Sequence, residues 1–342
     1  MRRLVCAFLA LAAACCATAA QAREIVDMTG RRVTLPDEIR RVYTTAPPVG
    51  LVVYALAPTT LLGWNFPPFL PLPGDAEALV APAARGLPVF GNMMGHGQQT
   101  NMEQVIALKP DLAVAWSNPL LDGAALEKRF AEAKIPLVVL KLDSLEDYPR
   151  AFELMGEVLG DPARGAELAA YVRGALDRLD ALARRLPERR VKVYYAESAD
   201  GLATDCDSSI HSEAIRRAGG DNIHRCRQAQ LVGMERVSLE EIAAAAPDLI
   251  VAQERAFGEA AAAPRWRAVR AAAEGHVLFV PRAPFNWIDR PPGFMQALGT
   301  QWLANAFYPD LYPLDVEAEA RRFYKLFLHV DIDGARAARL LQ

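Results

Sequence analysis

The sequence predicts an α/β fold: two Rossmann-like lobes with central parallel sheets, joined by a single long α-helix. Three observations carry that prediction. A helix–turn–strand unit occurs twice without a gap, as NMEQVIALKPDLAVA at residues 101–115 and SLEEIAAAAPDLIVA at residues 238–252. Short apolar runs alternate with helical stretches, the pattern of a parallel sheet covered on both faces. Between the two copies, residues 162–186 read helical with no internal proline, which at 1.5 Å per residue spans roughly 37 Å. That length suits a strut between lobes; one more surface helix of the second lobe is the competing reading.

In each copy of the unit, Asn101 or Ser238 is placed to cap the helix, with Gln104 or Glu241 three residues on as its reciprocal partner. Pro110 and Pro247 end the helix, and the apolar runs after Asp111 and Asp248 read as buried strands. A duplicated unit in 342 residues predicts two similar lobes. The expected division is a leader at 1–22, an N-terminal lobe at 23–143, a helical linker with the bridging helix at 144–187, and a C-terminal lobe at 188–342.

The remaining elements follow in order. Residues 1–22 have a basic start, an apolar stretch and an Ala-Gln-Ala cleavage signature, so they read as a secretory signal. A membrane anchor, or lipidation at Cys15 or Cys16, is the alternative. Residues 25–36 read as a hairpin turning at Thr29-Gly30. Residues 41–43 start the first inner strand, a helix covers 49–56, and short strands end at 65 and 90 on either side of a proline-rich loop. A helix at 126–133 and a strand at 136–140 complete the first lobe. Residues 144–159 read helical, with Gly160 as stop, Asp161 as the next cap and Pro162 at the first helical position. The second lobe restarts with a strand at 190–195 and a helix at 209–218. After the second repeat come a helix at 265–273, a strand at 277–280, and closing helices near 294–306 and 316–328.

Loss of Arg2 and Arg3 with the leader takes the net charge from −3 to about −5, with no basic stripe to hold nucleic acid. Cys206 and Cys226 remain beyond the leader, and an even pair in an exported chain predicts a disulfide. A Cys/His metal site using the nearby His211 or His224 is the alternative. Asp205 and Asp207 read as turn and cap residues.

Dinucleotide, phosphate-loop, zinc-protease and serine-hydrolase motifs are all missing. The distinctive residues cluster instead just past predicted strands, where open parallel sheets bind ligands. The first lobe offers Trp64, Met93, Met94, His96 and Trp116; the second offers Tyr195, Arg255, Arg282, Asn286, Trp287 and Arg290. This aromatic and cationic set, with few acids, predicts an anionic or metal-chelating ligand with a flat apolar body. Met93-Met94-Gly95-His96 also reads as soft metal ligands, His96 foremost; a flexible glycine loop is the plainer reading.

On VDMTGRRVTLP, NMEQVIALKPDLAVAWSN, HSEAIRRAGGDNI and VSLEEIAAAAPDLIVA, the chain resembles the periplasmic substrate-binding proteins of ABC importers for iron-siderophores, cobalamin and related metal complexes. RAPFNWIDRPP and VFGNMMGHG are similar to a subgroup associated with iron or nickel complexes. The resemblance implies a periplasmic binding protein, not an enzyme, with no intrinsic cofactor. It implies a ligand held between the lobes, a chelated transition metal: iron, or else nickel or cobalt. Cobalamin, haem and molybdate are further candidates, and an exported metal-dependent α/β enzyme is the contrasting reading. It further implies that an ABC permease docks on one exposed glutamate per lobe, which here are Glu103 and Glu240. Each glutamate also favours its own helix N-terminus by roughly 0.3–1 kcal/mol.

Overall fold

The computed structural model describes residues 23–67, 76–93, 100–118, 122–227 and 233–342; the leader expected at 1–22 lies outside them. Strands β1 (Arg23–Val26) and β2 (Arg32–Leu35) form an antiparallel hairpin. Its turn is wound around the buried Asp27, whose carboxylate accepts from Thr29 N at 2.9 Å, Arg31 N at 3.0 Å and Val139 N at 3.1 Å. The same carboxylate pairs with the Arg31 guanidinium. These donors hold the Asp27 carboxyl below the usual range against the opposing effect of burial.

Three strands then build a parallel sheet in the order β3 (Val42–Thr44), β4 (Leu112–Ser117), β5 (Leu137–Lys141). Around it lie α1 (Pro47–Leu56), α2 (Met102–Ala107) and α3 (Gly123–Glu132). The short strands expected near 65 and 90 reduce, among the described residues, to isolated bridges of Val42 with Leu61 and Trp64 with Val89. Next come α4 (Tyr148–Leu159) and α5 (Pro162–Ala183), separated by Gly160 in the left-handed conformation at φ +82°.

The second half holds a parallel sheet in the order β11 (Val277–Phe279), β10 (Leu249–Ala252), β6 (Lys192–Ala196), β8 (Asp221–Asn222), among the described residues. Its chain order is β6 (Lys192–Ala196), β7 (Ala203–Thr204), α6 (Glu213–Arg217), β8 (Asp221–Asn222) and β9 (Glu235–Arg236). Then follow α7 (Leu239–Ala245), β10 (Leu249–Ala252), α8 (Phe257–Ala262), α9 (Arg270–Ala273) and β11 (Val277–Phe279). Helices α10 (Gln296–Phe307), α11 (Val316–Phe327) and α12 (Gly334–Leu340) close the chain. The helix expected at 265–273 is broken: Val269 is extended (φ −94°, ψ 108°) between a 3-10 turn and α9, because its side chain is buried in the core of this sheet. The last helix, capped by Asp333, is an element that the sequence pattern does not announce.

The repeated unit does the same work in both halves. Both capping boxes are formed, with Asn101 Oδ1 accepting from Gln104 N at 2.9 Å and Ser238 Oγ from Glu241 N at 3.2 Å. The aspartate after each proline reaches across to the neighbouring strand. Asp111 accepts from Arg40 N and Arg41 N, both at 2.9 Å, and Asp248 accepts from Lys192 N at 3.0 Å. Glu103 and Glu240 are each the second residue of their helix, and both are exposed.

Helix α5 has 22 residues, three fewer than expected and about 33 Å long. It is embedded, not free-standing. Against α4 it makes a close crossing at two glycines: a Cβ on Gly165 would lie 2.5 Å from Phe152 O, and one on Gly156 would lie 2.8 Å from Gly165 Cα. On its other side Tyr171 packs against Phe323 and Phe327 of α11, and Arg178 donates to Gln301 of α10. The largest core runs continuously from α1 through α4 and α5 to α10 and α11. Tyr54 of α1 donates to Leu328 O at 2.8 Å, so the end of the chain is tied back to its first half. Among the described residues no helix is long and apolar enough to cross a membrane.

Gly165→Val is expected to cost about 1–3 kcal/mol by overpacking this crossing, read as a lower thermal midpoint. Gly174→Ala in the same helix, where a Cβ meets only Arg178 at 3.7 Å, is expected to stabilise by roughly 0.5–1 kcal/mol through helix propensity.

Candidate functional site

In the first half, the chain leaving β3 is locked by Asn65. Its amide donates to Thr44 O at 2.7 Å and Gly91 O at 2.9 Å, and its Oδ1 accepts from Thr44 Oγ1 at 2.8 Å. This ties the β3 exit to the start of the glycine-rich loop. Met93 N donates to Thr45 O at 3.0 Å, and Thr100 N donates to Asn92 O at 2.9 Å. These bonds anchor Met93 beside the β3 exit and Thr100 beside Asn92. Met94 and His96 fall between those anchors and outside the described residues. At the end of β4, Trp116 is 6% exposed and its indole N–H has no hydrogen-bond acceptor among the described residues. With Ser117 and Asn118 it lines a recess that reaches Thr29 of the hairpin and Glu127 of α3.

Trp64 is placed differently from the expectation. It is 2% exposed, its indole donates to Ala84 O at 3.2 Å, and its ring packs on Tyr54 and Phe285. It joins the two halves inside the core. Trp287 is likewise fully buried, donating to Tyr324 Oη at 3.1 Å and packing on Trp302. Both rings are enclosed by aromatic neighbours, Trp64 by Tyr54, Phe66 and Phe285 and Trp287 by Trp302 and Tyr324.

In the second half a buried polar chain crosses the strand exits. Gln253, just after β10, donates to Tyr195 Oη on β6 and accepts from Asn286 Nδ2. Asn286 Oδ1 in turn accepts from Ile288 N and Asp289 N, shaping the turn that leads to Arg290. Arg282 donates to Gln253 O at 3.1 Å and pairs with Glu254 at 2.7 Å. Arg255 stands apart: it lies over the Phe279 ring and donates to the carbonyl of Gln342.

The expectation of a cationic wall with few acids fails at Arg290. This residue sits at φ +53°, among three buried carboxyls. It reaches Glu197 at 2.7 Å, Asp205 at 2.8 Å and Asp289 at 3.5 Å. Asp289 also meets His211 Nδ1 at 2.7 Å. Gly233 permits the fold here, since a Cβ on it would lie 2.1 Å from Asp205 Oδ1. Burial, opposed by Arg290 and reinforced by Asp289 and Asp205, pushes the Glu197 carboxyl up to about 10. Among the described residues Glu197 Oε2 and Asp205 Oδ1 each lack a donor. Burial lowers the His211 imidazole, but the Asp289 carboxylate outweighs it and the net shift is upward. Nothing in the sequence pattern announces this cluster, because its members are scattered from 197 to 290. Asp205 is no mere turn residue but a buried member of it. The Cys206–Cys226 disulfide lies close in sequence to Asp205.

Two lobes of parallel sheet, with polar groups gathered at strand exits, define a ligand-binding architecture. A profile of the periplasmic binding protein family matches residues 92–284, and the chain belongs to that family. It is a binding protein, not an enzyme. An ABC transporter solute binding protein from Sulfurospirillum deleyianum is similar at 34% identity and TM-score 0.87, over 93% of this chain and 98% of that one. The molybdate-binding protein MolA of Haemophilus influenzae is 24% identical over 93% of this chain and 94% of its own. A vitamin B12-binding protein of Vibrio parahaemolyticus is 25% identical over 57% of this chain and 67% of its own.

Below its raised pKa the folded Glu197 holds a proton that the unfolded chain gives up near 4.5. Stability is therefore expected to fall as pH rises from about 4.5 towards about 10. Thermal midpoints across that window should show a shallower slope for Glu197→Gln. Arg290→Met leaves carboxyls buried without a counter-charge and is expected to cost about 3–5 kcal/mol.

Proposed function

We propose that this chain captures a chelated transition metal of low net charge in the periplasm, an iron-siderophore first, and delivers it to an ABC importer permease. The observation that carries the ligand class is Arg290. Its charge is taken up by Asp205 and Asp289 while it also reaches the Glu197 carboxyl, and that of Arg282 is taken up by Glu254. A strongly anionic ligand has little left to pair with on this side. Met93, Met94, His96, Trp116, Tyr195, Asn286 and the two arginines form the proposed ligand face, with His96 the proposed metal contact. Glu103 and Glu240 form the proposed permease-docking pair. The anionic molybdate is the second reading, favoured by the match to MolA across nearly the whole of both chains.

Native mass spectrometry of protein isolated from its own periplasm, with metal analysis, tests the assignment. The expected result is one chelated iron, nickel or cobalt per chain; molybdenum alone would overturn it. In titrations with an uncharged ferric hydroxamate, His96→Ala is expected to weaken binding at least about tenfold, or 1.4 kcal/mol. Glu103→Arg combined with Glu240→Arg should stop uptake in cells while leaving that titration unchanged.

A further inference from the structure

We propose that reduction of the Cys206–Cys226 disulfide opens a second metal site in the C-terminal half, a four-ligand centre for a borderline-soft dication such as zinc. The observation is a cluster that the ligand-binding reading does not use. One ligand atom from each of Cys206, His224, Cys226 and Glu235 lies within 4.8 Å of all the others. Two thiolates, one imidazole and one carboxylate are a donor set suited to tetrahedral zinc.

The spacing already approaches that geometry. Zinc–sulfur and zinc–nitrogen bonds of about 2.3 and 2.0 Å put the edges of a tetrahedron at roughly 3.3–3.8 Å. His224 Nε2 is 3.5 Å from Glu235, and Cys206 Sγ is 3.8 Å from it. The two sulfurs, now bonded, must part, and every other pair already lies within 4.8 Å. Hydrogen bonds besides that disulfide hold the frame that carries the four residues. Asp207 N donates to His224 O at 2.9 Å, and Ser208 Oγ donates to Cys226 O at 3.2 Å. Ser212 Oγ holds Cys206 O at 2.6 Å, and the β7–β9 ladder sets Glu235 opposite Thr204. His224 N donates to Asn222 Oδ1 at 3.1 Å. Cys206 is buried, whereas His224 and Glu235 keep 24% and 38% of their side chains exposed, which leaves a route for an ion. The neighbouring Arg225 is paired with Asp207 and Asp221 and does not confront an incoming dication.

The chemistry balances. A dithiol reductant passes two electrons to the disulfide: the S–S bond breaks, two S–H bonds form, and the dithiol closes to its own disulfide. The dication then displaces both thiol protons, with no change in its own oxidation state.

The test uses the full chain, reduced with a phosphine, desalted without oxygen and titrated with Co2+. The expected result is uptake of one Co2+ with a sulfur-to-cobalt charge-transfer band that the disulfide form lacks. The band should vanish in Cys206→Ser/Cys226→Ser, which keeps Cys6, Cys15 and Cys16. His224→Ala and Glu235→Gln, checked by circular dichroism as oxidised protein, should each weaken uptake at least about tenfold, the floor for an outer-shell change. No band on reduction, a band that survives in the double serine variant, or unchanged affinity in His224→Ala would each overturn the proposal. So would a reduced chain that loses its native circular dichroism and does not regain it with Co2+. The readout requires thiolate, so a negative result leaves the proposed function untouched.

Discussion

In each half one aspartate holds two parallel strands in step. Parallel neighbours have no hairpin turn to set their register, and a slip of one residue exchanges their two faces. Asp111 ties the start of β4 to the start of β3, and Asp248 ties β10 to β6. Everything downstream inherits that alignment. It places Trp116 and Gln253 just past their strands, and sets Glu103 and Glu240 at the far end of the same helix–turn–strand unit. The duplicated motif thus links the side of each lobe that gathers polar groups to the side proposed to meet the permease.

The second constraint is the shared core. Helix α5 is clasped by α4 at Gly156 and Gly165 and by α10 and α11 opposite. Trp64, Tyr54 and Phe285 carry aromatic packing from one half into the other. A hinge through such a core moves only a little, since close-packed interiors resist continuous deformation. The buried Arg290 cluster adds to this rigidity. Removing any one member leaves charge or hydrogen-bonding capacity unmatched in a dry site, so the loop after β11 is held in one conformation.

Local and periodic features are legible in the amino-acid order. The capping boxes, the Thr29-Gly30 turn, the Gly160 stop, the repeated Pro-Asp and the alternation of strand with helix each rest on contacts within a few residues. Those contacts follow from backbone and side-chain chemistry alone. The family follows too, since its motifs are local. The break at Val269 is not legible, because burial in a core assembled from distant segments overrides a continuous helical pattern.

The site divides along the same line. The sequence by itself determined that polar and aromatic residues would gather past the strands, because strand and helix order dictates where those loops emerge. Only the tertiary structure decided what they do there. Trp64 and Trp287 are buried among aromatic rings from distant segments. Arg290 met its neighbour Asp289 together with Glu197 and Asp205, which lie 93 and 85 residues before it. Whether an arginine offers its charge to a ligand or gives it to buried carboxylates depends on what folding brings within 3 Å or so. No spacing in the sequence encodes that.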